Sequence, residues 1–267
     1  MLDKYVSVII PAGGQGTRMK AGCNKQYLLL NDIPVLTHAW RAFARHIAVK
    51  EIILVVATGE EAYCWEHVVQ PFFQKRALVG EVEIKITPGG KERQHSVYNG
   101  LKRLDSASTM VAVHDGARPL IDLETINRAF LAAETHKAAI VAVPVKDTIK
   151  KTINICKNPD WEEHVEKGDS PQRWEMLISE TLPRDELVQV QTPQVFQRRL
   201  LQRAYDNAFQ KQIFGTDDSA LVEGLGEKVA VVPGHYHNLK ITTWEDLVLA
   251  REIIKKRGNK NESWTGH

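Results

Sequence analysis

The chain has 267 residues, 43% of them hydrophobic and 25% charged, with a formal net charge of +2. That is the make-up of an ordinary soluble globular protein, long enough for one large α/β domain with an ample core. The charge balance gives no electrostatic reason to expect nucleic acid as partner, and no apolar run approaches the roughly 20 residues of a membrane span.

Val6–Ile10 reads as a short buried strand, and it runs directly into Pro11–Leu30, PAGGQGTRMKAGCNKQYLLL. An acidic residue, Asp3, near the start and the early loop leave no room for a removable secretion signal. Pro34 opens an amphipathic helix over Val35–His46, and Glu51–Thr58 is a second buried strand. A helix begins at Gly59-Glu60-Glu61 and is expected to end at Pro71. Glu81–Ile86 alternates as a more exposed strand, Thr87–Gly90 is a turn cluster, and a helix follows from about Glu92 to Leu104. Met110–His114 is a strand ending in Asp115-Gly116, Asp122–Lys137 a helix and Ala138–Val145 an apolar strand. This cadence implies right-handed crossovers and a mostly parallel sheet. The cadence then breaks. Lys146–Ile155 reads as an exposed extended arm, and Asn158–Thr181 as a polar excursion or loop without a continuous apolar face. Val188–Phe196 resumes as strand, Gln197–Gln210 as helix, Asp217–Glu223 as a short helix, Lys228–Val232 as the last strand and Thr243–Lys256 as the last long helix. The expectation is a single domain over residues 1-257, with an arm and insertion at about 146-187, and a polar tail at 258-267.

Gly13, Gly14 and Gly16 let backbone N–H groups approach an anion closely. Arg18 and Lys25 place positive charge where a polyphosphate would lie. The loop is not a P-loop, because Gly16 is followed by Thr17-Arg18 and not by Lys. Nor is it the dinucleotide fingerprint, since Met19 stands where a third small residue is needed. Ligands of an open parallel α/β sheet bind beyond the carboxyl ends of its strands. There the sequence places the glycine loop, Gly89-Gly90, Asp115–Arg118 and Asp147-Thr148. Asp115 is either a turn carboxylate or a Mg²⁺ ligand beside substrate phosphates. Arg118 either grips a second phosphate or pairs with Asp115. Thr216 reads as the cap of the helix that follows, a role that does not exclude contact with a substrate phosphate, and Lys240 either serves the cleft or snorkels from a sheet edge. His235 and His237 lack the third ligand of a zinc site. Cys23, Cys64 and Cys156 are odd in number and widely spaced, which favours a reducing, cytoplasmic setting over a disulfide framework, with Cys23 beside the loop as a possible reactive thiol.

The segments PAGGQGTRM, NKQYL, PGGKERQHSV, VHDGARPLI, VPVKDTIK, QTPQVF, TDDSALVE and NLKITTWEDL cover nearly the whole chain in order. Through them the chain resembles the 2-C-methyl-D-erythritol 4-phosphate cytidylyltransferases of the non-mevalonate isoprenoid pathway. The resemblance implies a Rossmann-like domain, CTP as cosubstrate, Mg²⁺, and a homodimer whose arms exchange. By the same resemblance Ala12, Gly13 and Gly14 contact the nucleotide, and Gly90 and Ser96 border the cytosine. Arg18 and Lys25 stabilise charge on the α-phosphate, Asp115 serves the metal, and Arg184 and Lys240 hold the erythritol phosphate for attack. Arg118, Thr148, Thr192 and Thr216 line that site, with Thr148, Arg184 and Thr192 coming from the partner's arm. The chain departs from the family pattern in three places. Gly13 stands where Ala is usual, Asn24 stands where Pro is usual, and the excursion ahead of Arg184 is long.

The chemistry agrees with the resemblance. A phosphomonoester has its second pKa near 6, so it is largely dianionic at neutral pH and needs no general base. Catalysis then reduces to positioning and charge neutralisation. The alternatives are a ribitol 5-phosphate cytidylyltransferase, which would share the CTP half, and a CTP-binding regulatory protein without catalysis.

Overall fold

The apolar run after the N-terminus forms β1 (Val6–Pro11), buried along nearly its whole length. The structure, a computed structural model, describes residues 5–14, 24–73, 82–154 and 176–262. Beyond the loop, β2 (Leu29–Leu30) and β3 (Ile33–Pro34) make a small antiparallel hairpin. Its two turn residues, Asn31 and Asp32, both have positive φ, the conformation a tight right-twisting hairpin demands and one that Asn and Asp tolerate. Then come α1 (Val35–Ala44) and β4 (Val49–Val56). The next helix does not end at Pro71: α2 (Glu61–Cys64) passes through a wide turn, Trp65–Val69, into α3 (Gln70–Phe73). In that turn the N–H of Gln70 bonds to the carbonyl of Trp65. The wider winding moves carbonyls off the proline ring that an α-turn would press against them.

The chain continues through β5 (Glu83–Pro88), α4 (Arg93–Leu101), β6 (Met110–Val113), α5 (Leu123–His136) and β7 (Ala138–Pro144). Next come β8 (Lys150–Asn154), β9 (Met176–Thr181) and β10 (Val188–Gln197). The last elements are α6 (Arg198–Gln210), α7 (Asp218–Glu223), β11 (Ala230–Pro233) and α8 (Trp244–Glu262). Helix α8 carries six residues beyond Lys256, so part of the expected polar tail is helical backbone.

The chain divides into two compact units, Met1–Ala142 with Val190–His267, and Val143–Gln189. The main sheet has the order β11-β7-β10-β6-β1-β4-β5. Strand β1 pairs in parallel with β4 and β6, β4 with β5, and β11 with β7, while β10 runs antiparallel to β6. Connections from β1 go first toward β4 and β5 and then return to the other side at β6. The reversal at β1 opens a crevice at its carboxyl end.

Alternation along β1 decides which residue faces which layer. Val8 and Ile10 join Trp40, Phe43 and Phe130 in one core, and Ile9 joins Val97, Leu101, Phe196 and Tyr205 in the other. Gly100 allows α4 to press against the sheet, since a Cβ there would lie 2.6 Å from a methyl of Ile9. A smaller cluster of Leu30, Val35, Leu120, Ile241 and Leu247 seats α8. Among the described residues no helix is long and apolar enough to cross a membrane.

In the second unit β8 and β9 form an antiparallel hairpin, with Lys150 opposite Thr181 and Asn154 opposite Met176. Met176–Thr181, expected to be part of a polar excursion or loop, is therefore a strand, paired with β8. Residues 155–175, the rest of the expected excursion, lie outside the described residues. Ile153, Leu177 and Ile178 are exposed on the hairpin.

Candidate active site

The carboxyl ends of β1, β5 and β6 border a cleft of about 200 Å³ lined by Ala12, Gly13, Gly14, Lys25, Gly90, Arg93, Ser96, Asp115 and Lys240, among others. The glycine segment is held by its neighbours: the N–H of Ala12 donates to Val55 O at 2.7 Å, and the Gln26 side chain donates to Ala12 O. Arg18 and Cys23 lie outside the described residues. Lys25 opens a short 3₁₀ turn, Lys25–Tyr27. On either side of it the Asn24 amide and the Tyr27 hydroxyl both donate to the Glu60 carboxylate.

The second wall follows β5. Gly89 N donates to Val56 O at 2.7 Å, and Gly90 N to the Ser96 hydroxyl at 3.1 Å, which itself donates to Glu92 O at 3.2 Å. Ser96 thereby ties the glycine turn to the start of α4. A Cβ on Gly90 would sit 2.4 Å from the Cβ of His95, closer than side chains approach, so the turn requires glycine.

The third wall is Asp115. Its carboxylate is 3.1 Å from Lys240 Nζ, 3.4 Å from Arg118 Nε and 3.5 Å from Arg93 Nε. Burial would raise its pKa, but Lys240, Arg93 and Arg118 together hold it well below the usual carboxylate range. Arg118 also donates to Asn238 O at 2.8 Å, and Ile241 N donates to Ala117 O at 2.8 Å, which brings the Lys240 segment alongside. Behind Asp115 lies a polar chain. The Asp115 N–H donates to Thr192 Oγ1 at 3.0 Å, and Thr192 Oγ1 is 3.0 Å from His114 Nδ1. His114 Nε2 is 3.0 Å from Arg118 O. A carbonyl only accepts, so Nε2 carries a proton. Complete burial lowers the pKa of His114 to about 4, so near neutral pH the ring is a neutral imidazole and Nδ1 accepts the Thr192 hydroxyl hydrogen.

These contacts decide between several sequence-based alternatives. Arg118 pairs with Asp115 and donates to Asn238 O, and it is not among the residues lining the cleft. Lys240 serves the cleft. Thr216 is exposed and is not the helix cap: Asp217 is, accepting from Ala220 N, because its carboxylate reaches back over the first turn. Thr192 is buried behind Asp115 of its own chain, with its hydroxyl engaged there. Thr148 and Arg184 belong to the second unit, where both are exposed and Arg184 donates to Lys146 O at 3.1 Å.

The assignment of Asp115 to a metal does not fit this geometry. Both of its oxygens already face cations. Mg²⁺ demands ligand oxygens at about 2.0–2.1 Å in an octahedron, and three cations around the one carboxylate would repel it. Among the described residues no group of three or more His, Cys, Asp or Glu side chains is placed to hold a metal. His235 Nδ1 instead accepts from His237 N at 3.0 Å. Cys64 is a buried free thiol whose pKa burial pushes up to about 12, so it is inert packing.

The residue that sequence reasoning missed is Arg93. It bridges Asp115 and Asp218, 2.8 Å from the latter. One signal was available: a cation in the first turn of a helix opposes the helix dipole. With Lys25, Lys91, Arg93 and Lys240 against Glu92 and Asp115, the lining of the cleft is positive and suited to phosphorylated ligands.

Comparison with known proteins gives a consistent result. The family model for 2-C-methyl-D-erythritol 4-phosphate cytidylyltransferase matches residues 6–256. Proteins of that name from Alkaliphilus metalliredigens and Caldanaerobacter subterraneus are 42% and 43% identical to the chain, covering 94% of it and 94% and 99% of their own lengths. The crystal structure of 4-diphosphocytidyl-2C-methyl-D-erythritol synthase from Anaerococcus prevotii is similar with a TM-score of 0.73 at 31% identity, over 94% of this chain and 99% of that one. The Thermus thermophilus 2-C-methyl-D-erythritol 4-phosphate cytidylyltransferase structure has a TM-score of 0.68 at 29% identity, over 94% and 99%.

Proposed function

The chain belongs to the 2-C-methyl-D-erythritol 4-phosphate cytidylyltransferase family, and we propose that its reaction takes place in the cleft between the glycine segment, α4 and Asp115. It transfers CMP from CTP to 2-C-methyl-D-erythritol 4-phosphate. A phosphate oxygen of the polyol phosphate forms a bond to the α-phosphorus of CTP, the bond from that phosphorus to the bridging oxygen breaks, and pyrophosphate leaves. The attacking phosphate is already largely dianionic at neutral pH, so no proton need be removed first.

The observation that carries the reading is the convergence of Lys25, Arg93 and Lys240 on a cleft whose other wall is backbone of Ala12–Gly14 and Gly90. On this reading the N–H groups of Gly13 and Gly14 and the Gly90–Ser96 wall receive the nucleotide. Lys25, with Arg18, offsets the charge that builds on the α-phosphate, where fixed cations need not reorganise during reaction. Lys240 and Arg118 receive the polyol phosphate, with Thr216 at its edge. Mg²⁺ is read as a companion of the triphosphate's own oxygens, because Asp115 is committed to cations.

A homodimer is part of the proposal. The exposed apolar residues Ile153, Leu177 and Ile178 support burial of the β8–β9 hairpin against a second copy, whose Thr148 and Arg184 would complete the site. A cytoplasmic location goes with small, highly charged substrates that do not cross membranes unaided.

The test is pyrophosphate release with CTP, comparing 2-C-methyl-D-erythritol 4-phosphate against ribitol 5-phosphate. Strong preference for the first is expected. Preference for the second would overturn the substrate while keeping the CTP half, and CTP binding without pyrophosphate release would overturn the catalytic reading.

A further inference from the structure

We propose that Arg93 is a positioning residue for the polyol-phosphate half of the reaction: anchored from behind by Asp218, its guanidinium holds Asp115 so that Lys240, paired with the same carboxylate, stays placed in the cleft. The inference rests on the cytidylyltransferase reading given above and assigns that site a part it lacked.

Arg93 is the first residue of α4, where local electrostatics disfavour a cation. Tertiary partners override that preference. Its Nη2 lies 2.8 Å from Asp218 Oδ2, and Asp218 is completely buried. The other oxygen of Asp218 accepts from the Tyr205 hydroxyl at 2.5 Å. Both oxygens are therefore committed, and the planar guanidinium is held in one orientation. Burial works against its charge, but Asp218 and Asp115 raise its pKa above that of an ordinary arginine.

The anchor is itself tied to α4 a second time. Gln94 donates from Nε2 to Ile213 O at 3.0 Å and accepts from Gly215 N at 3.0 Å, so the loop leading into Asp218 follows the same helical turn. If Arg93 only closed the fold, Asp218 would satisfy it. Its second contact, Nε to Asp115 Oδ1 at 3.5 Å, reaches into the cleft it lines. The opposite oxygen of Asp115 is the one that meets Lys240 and Arg118. Holding one face of this carboxylate thus sets the other. The nucleotide wall is built separately, from Gly90 N and the Ser96 hydroxyl, and Arg93 is not among their partners. This division makes the effect selective for one substrate.

The experiment is steady-state pyrophosphate release by Arg93→Gln, Asp218→Asn and the double variant, with KM measured separately for CTP and for methylerythritol 4-phosphate. Arg93→Gln is expected to raise the KM for the polyol phosphate about tenfold, the scale of one charge-assisted contact, with less than about twofold change for CTP. Asp218→Asn should act in the same direction. The double variant should be no worse than Arg93→Gln alone, because residues acting through one contact are not additive. Equal rises in both KM values, or additive effects, would overturn the inference and leave Arg93 a general structural residue. If Asp218→Asn melts far below the wild type, Tyr205→Phe replaces it in the same cycle, removing one anchor bond with little change in volume. The unmodified enzyme tests the underlying reading independently: no turnover of methylerythritol 4-phosphate by it would overturn that reading, whatever the variants do.

Discussion

Replacing Asp115 by Asn keeps the size of the side chain and the backbone bond to Thr192 but removes the one anion that three cations share. At separations of 3.1, 3.4 and 3.5 Å each attraction is on the order of 5 kcal/mol gross, for an effective dielectric of about 20. Most of that is cancelled by the cost of taking the charges out of water. Breaking a buried pair by removing one partner nevertheless costs about 3–5 kcal/mol, because the remaining charge is left uncompensated. Two features pull the expectation to the lower end: the Lys240 side chain is 41% exposed and can turn to water, and Arg93 keeps Asp218. A loss of about 3 kcal/mol follows, equivalent to a fall in Tm of about 6–12 °C for a chain of this size. Denaturant unfolding followed by fluorescence of the six tryptophans measures it. The variant should also gain more stability than the wild type from millimolar inorganic pyrophosphate, which supplies the missing negative charge. A loss below about 1 kcal/mol, with equal stabilisation of both proteins by pyrophosphate, would refute the reading of Asp115 as the hub of the cation cluster.

Lys25→Ala should lower kcat by on the order of 10²–10³, the scale for removing one preorganised charge-stabilising donor; less than tenfold with unchanged CTP affinity would remove Lys25 from that role. His114 adds an acid-sensitive term to stability. Its pKa is lowered to about 4 in the fold against about 6.5 unfolded, so the stability is complete above about pH 6.5 and is lost as pH falls toward 4. Between pH 7 and pH 5 this term amounts to about 2 kcal/mol. Urea unfolding of His114→Gln should show a correspondingly shallower pH dependence, and an unchanged slope would count against the neutral buried imidazole. Gly90→Ala should raise the KM for CTP, since its Cβ would meet the His95 Cβ at 2.4 Å and displace the turn, an overpacking cost of about 1–3 kcal/mol. An unaltered CTP KM would show that the turn is not part of the nucleotide wall.

The sequence by itself determined the layers and the kind of chemistry. Ala138–Val143 is apolar at every position and Val6–Ile10 at all but Ser7, and only a strand covered on both faces buries all of them. The same local rule placed Gly89-Gly90 and Asp115 beyond strand ends, and the ordered motifs identified the family. Local periodicity reports which face of an element is buried, and it does so before any partner is known. It does not report which charges from distant segments meet. That depends on the order of the strands: β6 beside β1 sets Asp115 next to the glycine segment, and antiparallel β10 beside β6 carries Thr192 in behind it. Asp115 therefore looked like a metal ligand when only its neighbours in sequence were in view. It became the anion of a cation cluster once Arg93 and Lys240 were folded against it. The continuation of a helix through Pro71 and the strand at Met176–Thr181 have the same origin. In each case a partner outside the local segment, or a change of winding, reversed what the local preference alone would dictate, because contact energies across the fold exceed propensities of a few tenths of a kcal/mol per residue.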